Sequence, residues 1–326
     1  MPAPLPDPAT LAEALVTGDR GALSRAITLA ESTREDHQEV TAAILAAVTD
    51  RTGGSLRVGV TGAPGAGKST LLDALGIRLL ERGARVAVLA VDPTSARSHG
   101  SILGDKTRME RLAVHPQAFV RPTPSRGSLG GVAQGTRAAV SLCEAAGYTH
   151  VFVETVGVGQ SETAVRALTD LFMLLVLPQG GDDLQGIKRG VMEMADLVVV
   201  HKADLDDAAT REALRRYRSA LHLLPPPENG LTPLALAVSS ATGDGLDALT
   251  EALDTAETQL RASGAFERQR RMQRRQHLHE ALHALLEARL RASPAVQQAL
   301  PKLEAEVEAG RITPEVAAVH LLALWH

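Results

Sequence analysis

The stretch GVTGAPGAGKST, residues 59–70, decides the fold of this chain. In it, Gly62 is followed by four residues and then by Gly67, Lys68 and Ser69, which is the spacing of a phosphate-binding loop (P-loop). The apolar run LRVGV precedes this stretch, and the helix-forming run STLLDALGIRLLERG extends from it. A strand, a glycine-rich loop and a helix in this order are the context that the motif requires.

The residue types of this loop suit the binding of a phosphorylated nucleotide. Glycines allow backbone N–H groups to point inward around a phosphate, and the N-terminus of the following helix favours negative charge. Lys68 can reach the outer phosphates, and Ser69 can give its hydroxyl to Mg²⁺. Position 63 is Ala, so the two-lysine loop of ParA-like ATPases is missing. The residues predicted to bind the nucleotide here are Gly62, Ala63, Pro64, Gly65, Ala66, Gly67, Lys68, Ser69 and Thr70.

Six short apolar runs predict the sheet around the loop. They are continuous rather than alternating, and helix-length segments separate most of them, which indicates parallel strands covered on both faces. We therefore predict an α/β fold of the P-loop NTPase type, with a mostly parallel sheet flanked by helices. The six runs are residues 56–60, 85–91, 150–154, 171–177, 196–200 and 233–239.

The two ends of the chain read as helical. Residues 8–50 have the pattern of two Ala-rich amphipathic helices, and the pattern is purely helical from about residue 246. The predicted domains are an N-terminal helical extension (1–50), a P-loop domain (51–255) and a C-terminal helical arm (256–326).

Two features of the arm have more than one interpretation. The arginine cluster at 268–275 fits a solvated helix face or a contact for an acidic partner. Four leucines follow helical spacing and suit either a dimer contact or a local core. They are Leu278, Leu282, Leu285 and Leu286.

Carboxylates follow several of the predicted strands. Asp92 ends the run VAVLAVD, where it is placed for the Mg²⁺ shell or, alternatively, caps a helix before Pro93. Asp105 lies in a Gly- and Ser-rich loop that is also compatible with an ordinary capped turn. Glu154 ends the run HVFVE as an acid of the Walker B type.

Two further loops carry candidate residues. In the stretch ETVGVGQSE, Gly157 lies where a backbone amide would face a γ-phosphate, and Gln160 is either a water-orienting residue or a solvated loop residue. The polar loop 178–196 contains Asp182, Asp183 and Lys188 after a strand, at the end of the sheet where ligands bind.

Taken together, these stretches resemble the SIMIBI class of P-loop GTPases. Within it they are similar to the MeaB/ArgK/MMAA family, the GTPase chaperones of adenosylcobalamin-dependent mutases. The resemblance covers roughly residues 10–290. It rests on GAPGAGKST, VLAVDPTS, GSILGDKTRM, RPTPSRGSLGGVA, FVETVGVGQSE and DDLQGIKRG, in that order.

The resemblance implies a slow GTPase with GTP or GDP and Mg²⁺ as ligands. Its implied switch segments are 93–108, 154–162 and 178–193, and its implied partners are a second copy of the chain, through the C-terminal helices, and a methylmalonyl-CoA-type mutase. Nucleotide binding and hydrolysis would gate adenosylcobalamin loading and protect the mutase, which would in turn stimulate turnover. The resemblance implies that Lys68 and Ser69 hold phosphate and Mg²⁺, and that the metal shell is Ser69, Asp92, Asp105 and Glu154. Together with Gln160 and Lys188 from the two loops above, the predicted catalytic residues are Lys68, Asp92, Asp105, Glu154, Gln160 and Lys188.

One position departs from the family pattern. Residues 201–204 read His-Lys-Ala-Asp, where the guanine-recognition motif begins with Asn. Asp204 is expected to accept hydrogen bonds from the ring imino and exocyclic amino groups of guanine, and the stem of Lys202 to cover the base plane. A neutral His201 has one N–H to offer the guanine imidazole nitrogen, so we expect guanine preference with binding weaker by about 1 kcal/mol. A second base-contacting loop is predicted at Ser240 and Ala241.

The bulk composition excludes several classes. The chain has 326 residues, a net charge of −4, no run of 18 apolar residues and one cysteine, Cys143. These features argue against a dedicated nucleic-acid binder, a membrane-spanning protein and a multi-cysteine metal site, and they favour the cytoplasm. Two alternatives remain: a nickel-type metallochaperone GTPase, which normally carries Cys/His metal motifs, and a P-loop small-molecule kinase.

Overall fold

The computed structural model describes residues 5–92, 109–124, 131–155, 161–179, 189–225 and 227–325. Within them lies a seven-stranded sheet in which every strand pair is parallel. The P-loop α/β fold expected from the sequence is confirmed. The strands are β1 Leu56–Gly62, β2 Val86–Asp92, β3 Ala118–Pro124, β4 His150–Thr155, β5 Leu171–Val176, β6 Leu197–His201 and β7 Leu234–Val238.

The strand order β3-β2-β4-β1-β5-β6-β7 places β1 at the centre. Val60 of β1 is level with Glu154 of β4, and Gly62 is level with Leu175 of β5. Because all strands run in the same direction, the residues that follow them gather at one edge of the sheet, where α/β proteins bind their ligands. The P-loop, Glu154 and His201 therefore share this edge.

Thirteen α-helices and one short 3₁₀ helix (Thr49–Arg51) complete the described residues. The helices are α1 Pro8–Val16, α2 Arg20–Ala30, α3 Glu35–Ala47, α4 Lys68–Glu81, α5 Glu110–Val114, α6 Gly131–Ala145, α7 Ser161–Arg166, α8 Arg189–Glu193, α9 Asp207–His222, α10 Leu246–Ala262, α11 Ala265–Ala292, α12 Pro294–Glu308 and α13 Pro314–Ala323.

Apolar cores lie on both faces of the sheet, which explains the continuous apolar strands. One core packs α4, α5 and α10 against β1 and β5, with Leu71, Leu75 and Leu249 fully buried. The opposite core packs α1, α2, α3 and α6 against β2 and β4.

The N-terminal region forms three helices, and the expectation of two is wrong. The sequence ESTR, residues 31–34, separates α2 from α3, and Glu31 faces Arg121 of β3 in an ion pair of 2.5 Å. Asp7 and Asp19 cap α1 and α2 by accepting backbone N–H groups at 2.7–3.0 Å. Since these helices share a core with the sheet, they belong to the same compact unit.

Strand β3 was absent from the predicted strands because it contains Pro122 and Pro124. Proline cannot donate to a strand ladder, so within sheets it is confined to edge strands and bulges. β3 pairs with β2 alone and forms an edge of the sheet, which makes the two prolines admissible.

Arg270 shows that the arginine cluster is not uniformly a solvated face. Its side chain is 3% exposed and forms an ion pair with Asp170 at 2.5 Å and with Glu144 at 3.2 Å. Glu144 also binds Arg57 at 2.6 Å. This buried network, comprising Arg57, Glu144, Asp170 and Arg270, fixes the first turns of α11 beneath the amino ends of β1 and β5.

The chain divides into two compact units, Met1–Arg271 and Met272–His326, with the boundary inside α11. The three-domain division at residues 50 and 255 stays a prediction. In the second unit, Leu278, Leu282, Leu285 and Leu286 are between 41% and 67% exposed, which does not support a local core for them. Across the described residues, no helix has both the length and the apolar character needed to cross a bilayer.

Candidate nucleotide-binding site

The P-loop connects β1 to α4 by a turn that only glycine accommodates at two points. Gly62 ends β1, and a Cβ there would lie 2.5 Å from the carbonyl oxygen of Leu175. Gly67 has a φ of 93° immediately before α4, and a Cβ there would lie 2.6 Å from the ring of His201. The close approach of His201 shows that the P-loop and the loop after β6 are packed together.

The ammonium of Lys68 lies over the loop. Its Nζ donates to the carbonyl oxygens of Gly62 at 2.8 Å and Ala63 at 3.2 Å, and the residue is buried. These contacts hold a positive charge inside the turn. The arrangement suits an anion with several oxygens, as the sequence predicts.

The hydroxyl of Ser69 and the carboxylate of Glu154 lie together. Ser69 Oγ donates to Glu154 Oε1 at 3.0 Å, and both side chains are buried. Hydroxyl and carboxylate oxygens are donors that Mg²⁺ prefers, so this pair fits the metal shell expected from the sequence. Asp92 ends β2, which pairs with β4 so that Ala90 lies opposite Glu154. The side chain of Asp92 lies outside the described residues.

Several predicted site residues also lie outside the described residues. Asp105, Gly157, Gln160 and Lys188 fall there, as do Asp182 and Asp183. Their assignment to the metal shell, to catalysis or to the switches stays a prediction.

His201 joins the P-loop to the loop that follows β7. It ends β6, is 2% exposed, and places Nδ1 2.7 Å from the carbonyl oxygen of Ala66 and Nε2 2.7 Å from Oγ of Ser240. Since a carbonyl oxygen only accepts hydrogen bonds, Nδ1 carries the ring proton and Nε2 accepts from the hydroxyl of Ser240. Burial is the main cause that lowers the pKa of His201, so the neutral ring is the form that these contacts use.

This geometry differs from the role expected for His201. The single N–H of the neutral ring was expected to reach the imidazole nitrogen of guanine, but it donates to the P-loop instead. His201 therefore links the end of β6 to the P-loop through the carbonyl oxygen of Ala66.

Lys202 follows with a backbone conformation unusual for its residue type. Its φ of 58° makes it the one non-glycine residue with positive φ among those described, and its Nζ donates to the carbonyl oxygen of Gly65 at 3.1 Å. Such a conformation is unfavourable for a residue with a Cβ and occurs preferentially at ligand sites. The lysine stem therefore lies between the two loops, as needed to cover a base.

Asp204 is exposed and has a pKa below its ordinary value, chiefly because Ser239 hydrogen-bonds its carboxylate. Ser239 is fully buried, and its Oγ also accepts the backbone N–H groups of Ala241 and Thr242 at 3.2 Å. Ser240 and Ala241 were predicted in this loop from the sequence, whereas Ser239, which lowers the pKa of Asp204, was not. The two adjacent serines are visible in the sequence, but only the structure shows that Ser240 contacts His201 and that Ser239 acts on Asp204.

The chemistry of a nickel-type metal site is not seen in the described part of the chain. No group of three or more His, Cys, Asp or Glu side chains there is arranged to hold a metal ion. Cys143 is fully buried in α6, and burial raises the pKa of its thiol.

The sequence model of the family described as methylmalonyl Co-A mutase-associated GTPase MeaB matches residues 23–295. This chain belongs to the MeaB family. The match includes the P-loop, Glu154, His201 and the loop at Ser239, so every residue that forms the candidate site lies within the MeaB region.

Individual relatives agree with the MeaB assignment. GTPase ArgK of Escherichia coli is 49% identical over 270 residues, with 81% of each chain covered. The mouse protein named methylmalonic aciduria type A homolog, mitochondrial, is 41% identical over 319 residues, which cover 94% of this chain and 77% of that protein. A crystal structure of a protein named LAO/AO transport system kinase is 36% identical, with a TM-score of 0.75 and coverage of 98% of this chain and 99% of that one.

Proposed function

We propose that this protein is a GTPase whose nucleotide state gates the delivery of adenosylcobalamin to a methylmalonyl-CoA-type mutase and protects that mutase. The observation that carries the GTPase part is the anchoring of the His201-Lys202-Ala203-Asp204 loop to the P-loop through Ala66 and Gly65. This contact supports the proposal, because it holds the loop predicted to recognise guanine next to the loop predicted to bind phosphate. The mutase as client rests on the family to which the chain belongs and on the name of the mouse relative.

Within the proposal, the chain's own residues divide into three groups. Lys68 and the P-loop backbone, residues 62–70, bind the phosphates. Asp204 reads the ring imino and exocyclic amino groups of guanine, with Lys202 against the base plane and Ser240 and Ala241 in the second base loop. Ser69 and Glu154, with Asp92 and Asp105, would hold Mg²⁺, which when bound would neutralise phosphate charge.

The hydrolytic step is assigned to residues beside the phosphates. Glu154 holds the hydroxyl of Ser69 in place at 3.0 Å, and Gly157 and Gln160 follow it in the chain. In the proposal Gln160 orients the attacking water, Gly157 presents its N–H to the γ-phosphate, and Lys188 acts from the third switch. Turnover is slow until the client orders the switches, residues 93–108, 154–162 and 178–193.

The test of the GTPase and client assignments is a paired binding and hydrolysis experiment. The protein should bind GDP in preference to ADP, release phosphate from GTP in the presence of Mg²⁺, and form a nucleotide-dependent complex with a methylmalonyl-CoA-type mutase. Asp204→Asn should reduce GDP binding, because an amide cannot accept both hydrogen bonds, and should favour xanthosine diphosphate, which carries a carbonyl in place of the amino group. Equal binding of GDP and ADP would contradict the guanine assignment, and binding to no such mutase with either GDP or a non-hydrolysable GTP analogue would contradict the client assignment.

A small-molecule kinase is the second candidate, because the name of the 36%-identical solved structure contains the word kinase. Radiolabelled γ-phosphate distinguishes the two. A GTPase releases it as inorganic phosphate, whereas a kinase transfers it to a small molecule.

We propose further that the protein is cytoplasmic and forms a homodimer. The dimer contact would lie in the helical arm, which is predicted to span residues 256–326. Its support is a set of exposed apolar side chains in the second compact unit. On α11 they are Leu278, Leu282, Leu285 and Leu286, and on α13 they are Val316, Val319 and Leu322, all between 41% and 67% exposed.

Sedimentation of the full chain tests the homodimer. Replacing Leu282 and Leu285 by Glu should yield a monomer, because each charge would have to be buried in an apolar contact. Gln276→Glu adds a charge at another exposed position of the same helix and should leave the dimer intact. A wild-type chain that sediments as a monomer would contradict the proposal.

A further inference from the structure

His201 has both ring nitrogens engaged by protein partners. Nδ1 lies 2.7 Å from the carbonyl oxygen of Ala66, and Nε2 lies 2.7 Å from Oγ of Ser240. His201 is 2% exposed, and Ala66 is also buried. Any hydrogen bond from this side chain to a nucleotide must therefore replace one of these two contacts.

A histidine side chain offers fewer hydrogen-bond donors at position 201 than the asparagine of the motif. An amide carries two N–H groups and one oxygen, so it can donate to a carbonyl, accept from a hydroxyl and still donate once more. A neutral imidazole carries one N–H and one acceptor nitrogen. His201 therefore reproduces the two internal contacts and has no N–H left for a base.

Protonation does not restore the missing donor. In the imidazolium form both nitrogens donate, one to Ala66 and the other to the hydroxyl oxygen of Ser240. The ring then contacts the same two partners, and it still has no further N–H group to donate to a base.

Rotation of the ring is also unfavourable. A Cβ placed on Gly67 would lie 2.6 Å from both Cε1 and Nδ1 of His201, so the ring already lies against the P-loop backbone. Turning Nδ1 toward a base would leave the buried carbonyl of Ala66 without its donor, which offsets what the new hydrogen bond contributes.

The neighbouring donors are engaged as well. Nζ of Lys202 donates to Gly65 at 3.1 Å, and the N–H of Ala203 donates to Val238 at 3.2 Å. The N–H of Ala241 donates to Ser239 at 3.2 Å. Each of these donors already has an acceptor within the protein, so its use at a base would cost an existing hydrogen bond.

We propose that this site recognises guanine without a hydrogen bond to N7, the imidazole nitrogen of the base that faces away from the Watson–Crick edge. Selectivity then rests on that edge, read by Asp204. A guanine nucleotide whose N7 is replaced by C–H is accepted as well as the natural one. The inference rests on the proposed guanine-nucleotide function and specifies which atoms of the base that function uses.

Binding of GDP and 7-deazaguanosine diphosphate, measured by titration calorimetry on the full chain, tests the proposal. For the wild-type chain the two dissociation constants should agree within about twofold, because no hydrogen bond is lost. For His201→Asn the deaza compound should bind about fivefold more weakly than GDP, which corresponds to about one hydrogen bond. The variant thereby serves as the matched positive control for N7 recognition.

The binding results distinguish failure of this inference from failure of the proposed guanine-nucleotide function. Rejection of the deaza compound by the wild-type chain, with tight GDP binding, would overturn the inference and leave the GTPase assignment intact. Absence of GDP binding would overturn both.

A second measurement keeps the test decisive if His201→Asn does not fold. Nitrogen-15 spectra of the histidine rings report which nitrogen bears the proton. We expect the Nδ1–H form of His201 in the wild-type chain, unchanged when GDP is added. A change of tautomer or hydrogen-bonding state at Nδ1 on addition of GDP, with no such change on addition of 7-deazaguanosine diphosphate, would overturn the proposal.

Discussion

Arg270 and Asp170 form a two-point ion pair in which Nε lies 2.5 Å from Oδ1 and Nη2 lies 2.6 Å from Oδ2. The pair ties the first turns of α11 to the loop before β5, at the opposite edge of the sheet from the candidate nucleotide site. The guanidinium of Arg270 also lies 4.8 Å from the centre of the Phe266 ring, and Arg261 lies 4.1 Å from the same ring.

Arg270→Met should destabilise the chain strongly. It leaves the carboxylate of Asp170 buried without its guanidinium, and breaking a buried ion pair costs about 3–5 kcal/mol. Urea unfolding measures the loss. Arg271→Met is the control, since Arg271 is exposed and its replacement should change the free energy of unfolding by less than about 0.5 kcal/mol. Similar midpoints for the two variants would refute a stabilising role for the buried network.

Glu144 should make the chain sensitive to acid. Burial alone would raise its pKa, but hydrogen bonds and charge from Arg57, charge from Arg270 and a hydrogen bond from Ser55 lower it from 4.5 to about 2. Because the folded-state pKa is depressed, the carboxylate stabilises the fold above about pH 4.5, and this contribution is lost as the pH falls toward 2. A shift of this size corresponds to about 3 kcal/mol.

Comparison of wild type with Glu144→Gln checks this contribution. The difference between their free energies of unfolding should be largest near pH 6 and should shrink steadily below about pH 4.5. A difference that stayed constant down to pH 3 would mean that another carboxylate governs the acid transition.

Lys202 should contribute to nucleotide binding at the expense of local backbone strain. Lys202→Gly relieves the positive φ, so its stability should stay within about 1 kcal/mol of wild type. GDP affinity should nevertheless fall about tenfold, because the stem that is proposed to cover the base is lost. Lys202→Ala is the matched comparison: it lacks the same stem but keeps a Cβ at a φ of 58°, so it should be less stable than the Gly variant by about 1 kcal/mol. If both variants bind GDP like wild type, the stem does not contact the base.

His201 should make the fold weaker in mild acid. Its folded-state pKa lies below the ordinary value of 6.5, chiefly because the ring is buried, so the unfolded chain binds more protons there. Stability should therefore fall as the pH drops from about 7 toward the folded-state pKa. His201→Asn should show a shallower fall in denaturation midpoint over pH 7 to 5. His150 also has a lowered pKa through burial, but it is present in both proteins, so the difference isolates His201. Parallel pH profiles would show that His201 does not titrate in this range.

The sequence predicted those parts of the site that short local patterns encode. The strand, glycine loop and helix around Lys68 occupy consecutive residues, and Glu154 could be placed because strand ends of a parallel sheet meet at one edge. Contacts between residues far apart in the chain could not be predicted from these local patterns. That Nδ1 of His201 would face Ala66, and that Ser239 would lower the pKa of Asp204, depends on packing between loops far apart in the chain.

Two failures in the fold have a physical cause of the same kind. The prolines of β3 contradict local strand propensity, which the edge position of the strand overrides. Arg270 lies within an arginine-rich helix whose other cluster arginines, at 268, 271, 274 and 275, are exposed, so composition gave no sign that one of them is buried. Only its carboxylate partners, more than 90 residues away, distinguish it.

The prolines of β3 also affect how copies of this chain behave beside one another. An edge strand ordinarily presents a row of unpaired N–H groups that can template pairing with another chain and begin aggregation. Pro122 and Pro124 have no N–H, and the N–H of Ala118 at the start of the strand already donates to His115 at 3.1 Å. The outer border of the sheet at β3 is therefore a poor template for intermolecular strand addition, which protects the chain against self-association at this edge.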